Sequence, residues 1–226
     1  AIKVLLDKNF FMLADGVGGN RSGEIASQSA LDALEKFIRH NPPEWLSDRD
    51  EIFRYFRAAV NYVSQFIIKL SEAKPEYVGM ATTLAFVYID DGVMYVANIG
   101  DSRVYLFHEN VAQQITEDHT YVNDLVRMGA ISKEEASTHS RKNVITRAIG
   151  ANANNEPDCF SVPVELGDRV LICSDGLYDE LDLKAIQQEM MRYDDMMMCS
   201  ENLVGIANDN GGNDNVSVIC INLVED

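Results

Sequence analysis

The chain has 226 residues, 46% of them hydrophobic, with 36 acidic against 19 basic side chains and a formal charge of −17. That is enough apolar material for one sizeable core, and no linker-like stretch divides residues 1–226 into two domains. The negative excess opposes a nucleic-acid backbone as partner, no apolar run is long enough for a membrane span, and no signal-peptide pattern opens the sequence.

In chain order, residues 1–14 read as a hairpin with Asp7-Lys8-Asn9 as its turn. Its second arm, Phe10 to Ala14, is five apolar residues in succession and predicts a short strand buried on both faces. The strand runs into Asp15, Gly16, Val17, Gly18 and Gly19. Asp-Gly is most often a turn, but a carboxylate at the rim of a core is costly unless something pairs with it. The Gly-rich loop 16–23 is not a P-loop, because no Gly-Lys-Ser/Thr closes it. It is not a dinucleotide fingerprint either, because Arg21 holds the third glycine position. Ser22 is the expected N-cap of a helix over Glu24–Arg39, with Ala26, Ala30, Leu34, Phe37 and Ile38 on its apolar face. Pro42-Pro43 ends it. Ser47 and Asp50 then make a capping-box-like start to a longer helix, whose stripe of Phe53, Phe56, Val60, Val63, Phe66, Ile67 and Leu70 reads as a core face.

Past residue 82 the period changes. Thr82–Ile89 and Val93–Ile99 flank Asp90-Asp91-Gly92, a hairpin signal, and Gly100-Asp101-Ser102 turns the chain into Arg103–Phe107. Three successive strands with tight turns predict an antiparallel meander, which excludes a βαβ fold. Asp101 is a turn residue that could also face a neighbouring site. Residues 116–150 are polar and broken, with short helices expected near Tyr121–Met128 and after Ser132, which Glu135 completes as a capping box. So irregular a run inside a compact domain reads as a functional flap, and Asn152–Asp158 as loop. Strands return at Phe160–Val164 and Arg169–Ser174, the latter again ending on Asp175-Gly176. Met190, Met191, Met196, Met197 and Met198 predict adaptable helical packing. Gly211 to Asn215 then places Asp214 at the entrance of a strand over Val216–Val224. Cys159, Cys173, Cys199 and Cys220 show no C-x-x-C spacing and read as reduced core thiols of a cytoplasmic protein.

Three carboxylates, Asp15, Asp175 and Asp214, therefore stand at strand ends beside glycines, and only the fold can bring them together. An all-oxygen cluster suits Mg²⁺ or Mn²⁺ rather than Zn²⁺. None of His40, His108, His119 and His139 stands in a metal-binding pair. No Cys precedes an Arg at nucleophile-loop spacing, and the one Asp-x-Asp, Asp48-Arg49-Asp50, opens a helix.

The ordered motifs Ala14–Gly19, Gly79–Leu84, Asn98–Arg103, Ser174–Leu177 and Gly212–Asn215 resemble those of the metal-dependent PPM/PP2C Ser/Thr protein phosphatases. Thr116–His119 through Arg127–Gly129, then Asn143–Gly150, is similar to the flap of bacterial members. The resemblance covers nearly the whole chain. It implies an α+β fold, a β-sandwich of two antiparallel sheets flanked by helices, as a single domain with a flap subdomain at about 116–150. It further implies a dinuclear Mn²⁺ or Mg²⁺ centre, with Asp15, Asp175 and Asp214 as the catalytic carboxylates. Asp15 would bridge the ions, the Gly16 carbonyl would serve the second, Asp175 and Asp214 would hold the first, and Asp101 would serve a weaker third. A water activated by the cations would attack phosphorus directly. The implied partners are phosphorylated Ser/Thr proteins, substrates of a cognate kinase. The family's phosphate-gripping Arg and acidic ligand precede its first Asp-Gly, and this chain, which starts at Ala1 as a processed or shortened form would, begins too late for them or for that part of the first strand. Asn20 stands where many members have a His proposed as proton donor, and Asn is no general acid near neutral pH. The alternative reading is a catalytically weak or inactive signalling module of the same fold; a metal-dependent nuclease is disfavoured by the charge.

Overall fold

The computed structural model describes residues 1–17, 21–46, 48–151 and 156–225. β1 (Ile2–Leu5) and β2 (Phe10–Leu13) form the expected hairpin, Ile2 opposite Leu13. Its turn closes at Asn9, whose φ of 54° is the left-handed region that Asn tolerates. Phe10, Met12 and Leu13 are buried and Phe11 half-buried, so β2 is covered on both faces. β3 (Gly16–Val17), within the stretch read as loop, pairs with β4 (Ala81–Thr82). Gly18, Gly19 and Asn20 lie outside the described residues.

α1 (Arg21–His40) starts three residues earlier than the apolar spacing indicates, so Ser22 lies in its first turn instead of capping it. That turn is polar, and periodicity cannot register it. α2 (Arg49–Ala73) is capped by Asp48, which accepts from the Glu51 N–H at 2.8 Å; the predicted cap Ser47 is outside the described residues. Its buried face is Ile52, Phe56, Ala59, Val60, Val63, Ser64 and Ile67. Phe53 and Phe66 lie on opposite flanks, roughly 70° from the centre of that face at 100° per residue, and Phe66 is accordingly 42% exposed.

β5 (Leu84–Asp90) and β6 (Val93–Ile99) pair across Asp91 and Gly92, both at positive φ, as the hairpin signal requires. β7 (Arg103–His108) does not continue a meander. It pairs with β8 (Val111–Gln114) and with β10 (Arg169–Cys173) in a second sheet, while the far side of β6 is taken by β9 (Asp158–Pro163). The turn at 100–102 is thus a crossing between sheets. Gly100 has φ 107°, and a Cβ there would fall 2.6 Å from the Thr83 side chain, so the crossing admits only glycine. The β7–β8 hairpin, turned by Glu109 and Asn110 at positive φ, gave no sequence signal because neither residue is glycine. β9 begins two residues before the expected Phe160; Asn152–Asn155 of the preceding loop are not described.

Residues 116–150, read from sequence as a flap, carry α3 (Tyr121–Arg127), capped by Thr120, and α4 (Lys133–Ser137), with the predicted Ser132–Glu135 capping box. After β10 come α5 (Asp175–Tyr178), α6 (Leu183–Arg192), α7 (Met196–Asn210) and β11 (Val218–Asn222), shorter at both ends than expected. The sheets run β1-β2-β5-β6-β9 and β11-β10-β7-β8, every pairing antiparallel.

The packing forms three apolar layers. Phe10, Phe56 and Phe86 join α1 and α2 to the first sheet. Leu13, Val87, Val96, Val170 and Ile172 fill the space between sheets. Phe107, Leu171, Ile186, Met190 and Leu203 join the second sheet to α5–α7. The α+β sandwich flanked by helices is as expected. Of the methionines, Met190 is fully buried, but Met197 and Met198 are exposed, because they sit on the outer side of the first turn of α7. All four cysteines are free, with Cys173 and Cys199 buried. No helix among the described residues is long and apolar enough to cross a membrane.

Phe56 is fully buried with its ring 4.7 Å from Phe86. Phe56→Ala should lower unfolding free energy by about 3–5 kcal/mol, read as a lower urea midpoint at unchanged slope.

Candidate metal centre

Asp15 emerges one residue beyond Ala14 at the end of β2, and its backbone is held at both poles. Its N–H donates to Thr83 Oγ1 at 2.9 Å, and its carbonyl accepts from the Thr83 N–H and from Thr82 Oγ1, each at 2.8 Å. Gly16 is next, the first residue of β3. Asp175 is the first residue of α5, directly after β10 and Ser174. A Cβ on Gly176 would lie 2.3 Å from the Asn215 carbonyl. Glycine there lets the loop carrying Asp214 press against α5, and Ser174 accepts from the Ser217 N–H at 3.1 Å to hold it. Asp214 itself is exposed. Asp101 is buried behind the Gly100 crossing, its carbonyl accepting from Tyr178 Oη at 2.9 Å, while Ser102 Oγ meets Thr83 Oγ1 at 2.8 Å.

The fold brings every predicted site residue to one cavity. Asp15, Gly16, Asp101, Asp175 and Asp214 all line a space of about 1100 Å³ at the ends of the two sheets. The charge density shows in the acidities. Burial, then Asp175 and Asp214, push the Asp15 carboxyl up to about 7. Burial, then Asp175 and Asp118, push Asp101 to about 7. Asp175 is raised by burial and by Asp214, and its proximity to Asp15 couples the two carboxyls. Asp175 Oδ1 is buried with no hydrogen-bond partner. An orphaned carboxylate oxygen carries the full desolvation cost, and a hard cation would relieve it. An all-oxygen donor set fits Mg²⁺ or Mn²⁺. Among the described residues no three acidic, His or Cys side chains are drawn into a closed shell.

Sequence reasoning assigned no role to the hydroxyls of Thr82, Thr83 and Ser102, which stitch the Asp15 and Asp101 segments together; their place inside the motifs Gly79–Leu84 and Asn98–Arg103 was the signal for them. It also missed Asp118. Its carboxylate takes two hydrogen bonds from Arg103 Nε and a third, at 2.6 Å, from Nη2, while the guanidinium stacks 3.4 Å from the Tyr178 ring. These three line a second cavity of about 720 Å³ under α3 and α4, which shares Asp101, Asn143 and Asp175 with the first. Asn20 falls outside the described residues.

The profile of the Protein phosphatase 2C family matches residues 2–208. The serine/threonine phosphatase stp of Listeria monocytogenes is 34% identical over 210 residues, 93% of this chain and 82% of that protein. The fold matches the Mycobacterium tuberculosis serine/threonine phosphatase PstP/Ppp with a TM-score of 0.88 at 31% identity, covering 100% of this chain and 92% of that one. It matches the catalytic domain of PstP in complex with two manganese ions at 0.85 and 32% identity, covering 100% and 91%. This chain belongs to the protein phosphatase 2C family. It is a phosphatase of the serine/threonine-protein kind, as its bacterial relatives are.

The raised carboxyls bind more protons folded than unfolded between their ordinary value of 3.8 and about 7. Stability of the metal-free protein must therefore fall as pH rises through that window. His108, raised by Asp168, adds a slope of the same sign; His119, lowered chiefly by burial, opposes it. In EDTA, melting temperature should drop between about pH 5 and 7, and Asp101→Asn should drop less steeply; an equal slope in the variant would refute the assignment.

Proposed function

We propose that this chain hydrolyses phosphoserine and phosphothreonine in proteins at a two-cation centre held by its aspartates. Asp15 would be shared between the ions, the Gly16 carbonyl would serve one, and Asp175 with Asp214 the other, with Asp101 at a weaker third position. Bound there, Mn²⁺ or Mg²⁺ would supply an acidified water for attack on phosphorus and neutralise the phosphoryl oxygens. The supporting observation is the orphaned Asp175 Oδ1 in a cavity lined by four aspartates. The two manganese ions of the related PstP structure make Mn²⁺ the probe of choice.

The chain's own contribution is placement and protonation. Thr82 and Thr83 clamp the Asp15 backbone, so its carboxylate keeps one direction as charge changes in front of it. Burial and mutual repulsion raise the Asp15 and Asp175 carboxyls, so cation binding would displace protons to solvent. The cavity is open to solvent on the Asp214 side, which admits a phosphorylated side chain on a protein surface. Phosphoproteins made by a cognate kinase are the substrates this reading implies. A reducing cytoplasm suits the buried free thiols of Cys173 and Cys199.

Residues 116–150 act in this reading as a flap governing peptide choice, since α3 and α4 roof the second cavity beside Asp101 and Asp175. Its two roots are pinned: Thr120 bridges Ile145, Ile149 bridges Thr82, and the Thr146 N–H donates to the His119 carbonyl at 2.7 Å. Its middle is exposed, Met128 at 79%. The whole flap need not move as one body.

Asp175→Asn should reduce Mn²⁺-dependent phosphate release from a phosphothreonine peptide by more than about 100-fold, the upper range for disturbing a metal site indirectly, while raising the metal-free melting temperature. Wild-type turnover at saturating Mn²⁺ would overturn the reading. Hydrogen exchange should show residues 128–143 exchanging fastest within the flap and residues 116–120 and 144–150 protected. Uniform protection across 116–150 would contradict that division.

A further inference from the structure

We propose that His119 is a positioning residue for the Asp101 carboxylate, acting through the Gly100 peptide. The inference rests on the proposed function, in which Asp101 faces a cation. His119 is 3% exposed and stands at the root of the flap, between the crossing at Gly100 and β9. It grips Gly100 twice. Its backbone N–H donates to the Gly100 carbonyl at 2.9 Å, and its Nδ1 accepts from the Gly100 N–H at 3.1 Å.

The second contact settles the tautomer. A ring nitrogen facing an amide N–H has to be the bare one, so the proton sits on Nε2. Nε2 lies 3.0 Å from Asp158 Oδ2, an acceptor for that proton. Arg147 Nη1 donates to Asp158 Oδ1 at 2.8 Å and so aims the carboxylate at the ring; it also stands 3.3 Å from Nε2, a cation that opposes a charged imidazole. Asp158 therefore holds the ring in the one state whose Nδ1 can accept.

The clamp matters because it falls on the residue immediately before Asp101. Glycine has the loosest backbone of any residue, and Gly100 sits at φ 107°. Asp101 is fixed on its far side by Tyr178 on its carbonyl and by Ser102 on Thr83. On its near side the holds are His119 and the longer contact of Asn98 Nδ2 to the Gly100 carbonyl at 3.3 Å. Releasing His119 frees the peptide whose rotation swings the Asp101 carboxylate.

A histidine that merely ties the flap root to β9 would show the same contacts, and two isosteres separate the cases. Asn places an acceptor oxygen near Nδ1 and abandons Asp158. Gln places an amide N–H near Nε2 and abandons Gly100. Each full-length variant is titrated with Mn²⁺ by calorimetry, melted in EDTA and assayed for phosphate release. His119→Gln is expected to weaken the weakest Mn²⁺ event by about tenfold, the lower range for disturbing an outer contact of a metal site, with the tightest event and the peptide KM unchanged. His119→Asn should stay near wild type in Mn²⁺ binding despite a lower melting temperature. The ¹⁵N shifts of the His119 imidazole in the metal-free protein should report the Nε2–H tautomer. Should either variant fail to fold, Asp158→Asn, which keeps the volume but loosens the ring, should weaken the same event by a smaller factor. Equal shifts in the Asn and Gln variants, no shift in any variant, or an Nδ1–H tautomer would each overturn the inference. Wild-type turnover in Asp175→Asn would instead remove the metal reading and leave the tautomer result standing.

Discussion

Crowding Asp15, Asp101 and Asp175 into one half-enclosed cavity, with Asp214 at its mouth, is the constraint on which the rest of this structure depends. Burial, and then repulsion between carboxylates facing one cavity, push Asp15 and Asp101 up to about 7. A fold that assembles such a cluster needs a rigid source of compensation. Here each acidic residue is fixed through its own backbone or its immediate neighbours, by Thr82 and Thr83 at Asp15, by Gly100, Ser102 and Tyr178 at Asp101, and by Ser174 and Gly176 at Asp175 and Asp214. The side chains are left with few internal partners, the arrangement a cation requires.

The cluster is also a property of two sheets at once. Asp15 leaves the first sheet at β2, Asp175 and Asp214 flank β10 and β11 of the second, and Asp101 lies on the crossing between them. No single hairpin holds a site. Packing Leu13 and Val87 against Val170 and Ile172 brings the two halves to register, so the apolar interior and the acidic rim are parts of one device. Binding free energy for a cation bridging the halves would add directly to the stability of the sandwich.

The flap is joined to this centre more firmly than its polar composition indicates. Arg103 couples Asp118 to Tyr178, and His119 couples Gly100 to Asp158, so the flap root contacts Gly100 just before Asp101 and Arg103 two residues after it. The segment proposed to cover a substrate and the residue proposed to align a carboxylate are thus adjacent in the chain, fixed by one set of hydrogen bonds.

Much of this was legible from residue order alone. Buried runs ending in Asp-Gly at 15–16 and 175–176, the hairpin at Asp91-Gly92, the capping box at Ser132 and the helical stripe around Phe56 are local patterns, set by dihedral preference and by the periodicity of apolar side chains. The five ordered motifs pointed to the family for the same reason: chemistry tolerates few substitutes at those places. Local pattern could not decide which sheet β7 would join, since Gly100-Asp101-Ser102 reads equally as a hairpin or a crossing until β9 and β10 compete for the edges. Nor could it show that Phe66 would face water, that Glu109-Asn110 would turn a hairpin without glycine, or that His119 would reach back to Gly100. Those outcomes depend on contacts between residues far apart in the chain. The sequence by itself determined which residues could carry metal chemistry; only the tertiary structure decided that they meet, because electrostatic coupling acts through space and is silent along the chain.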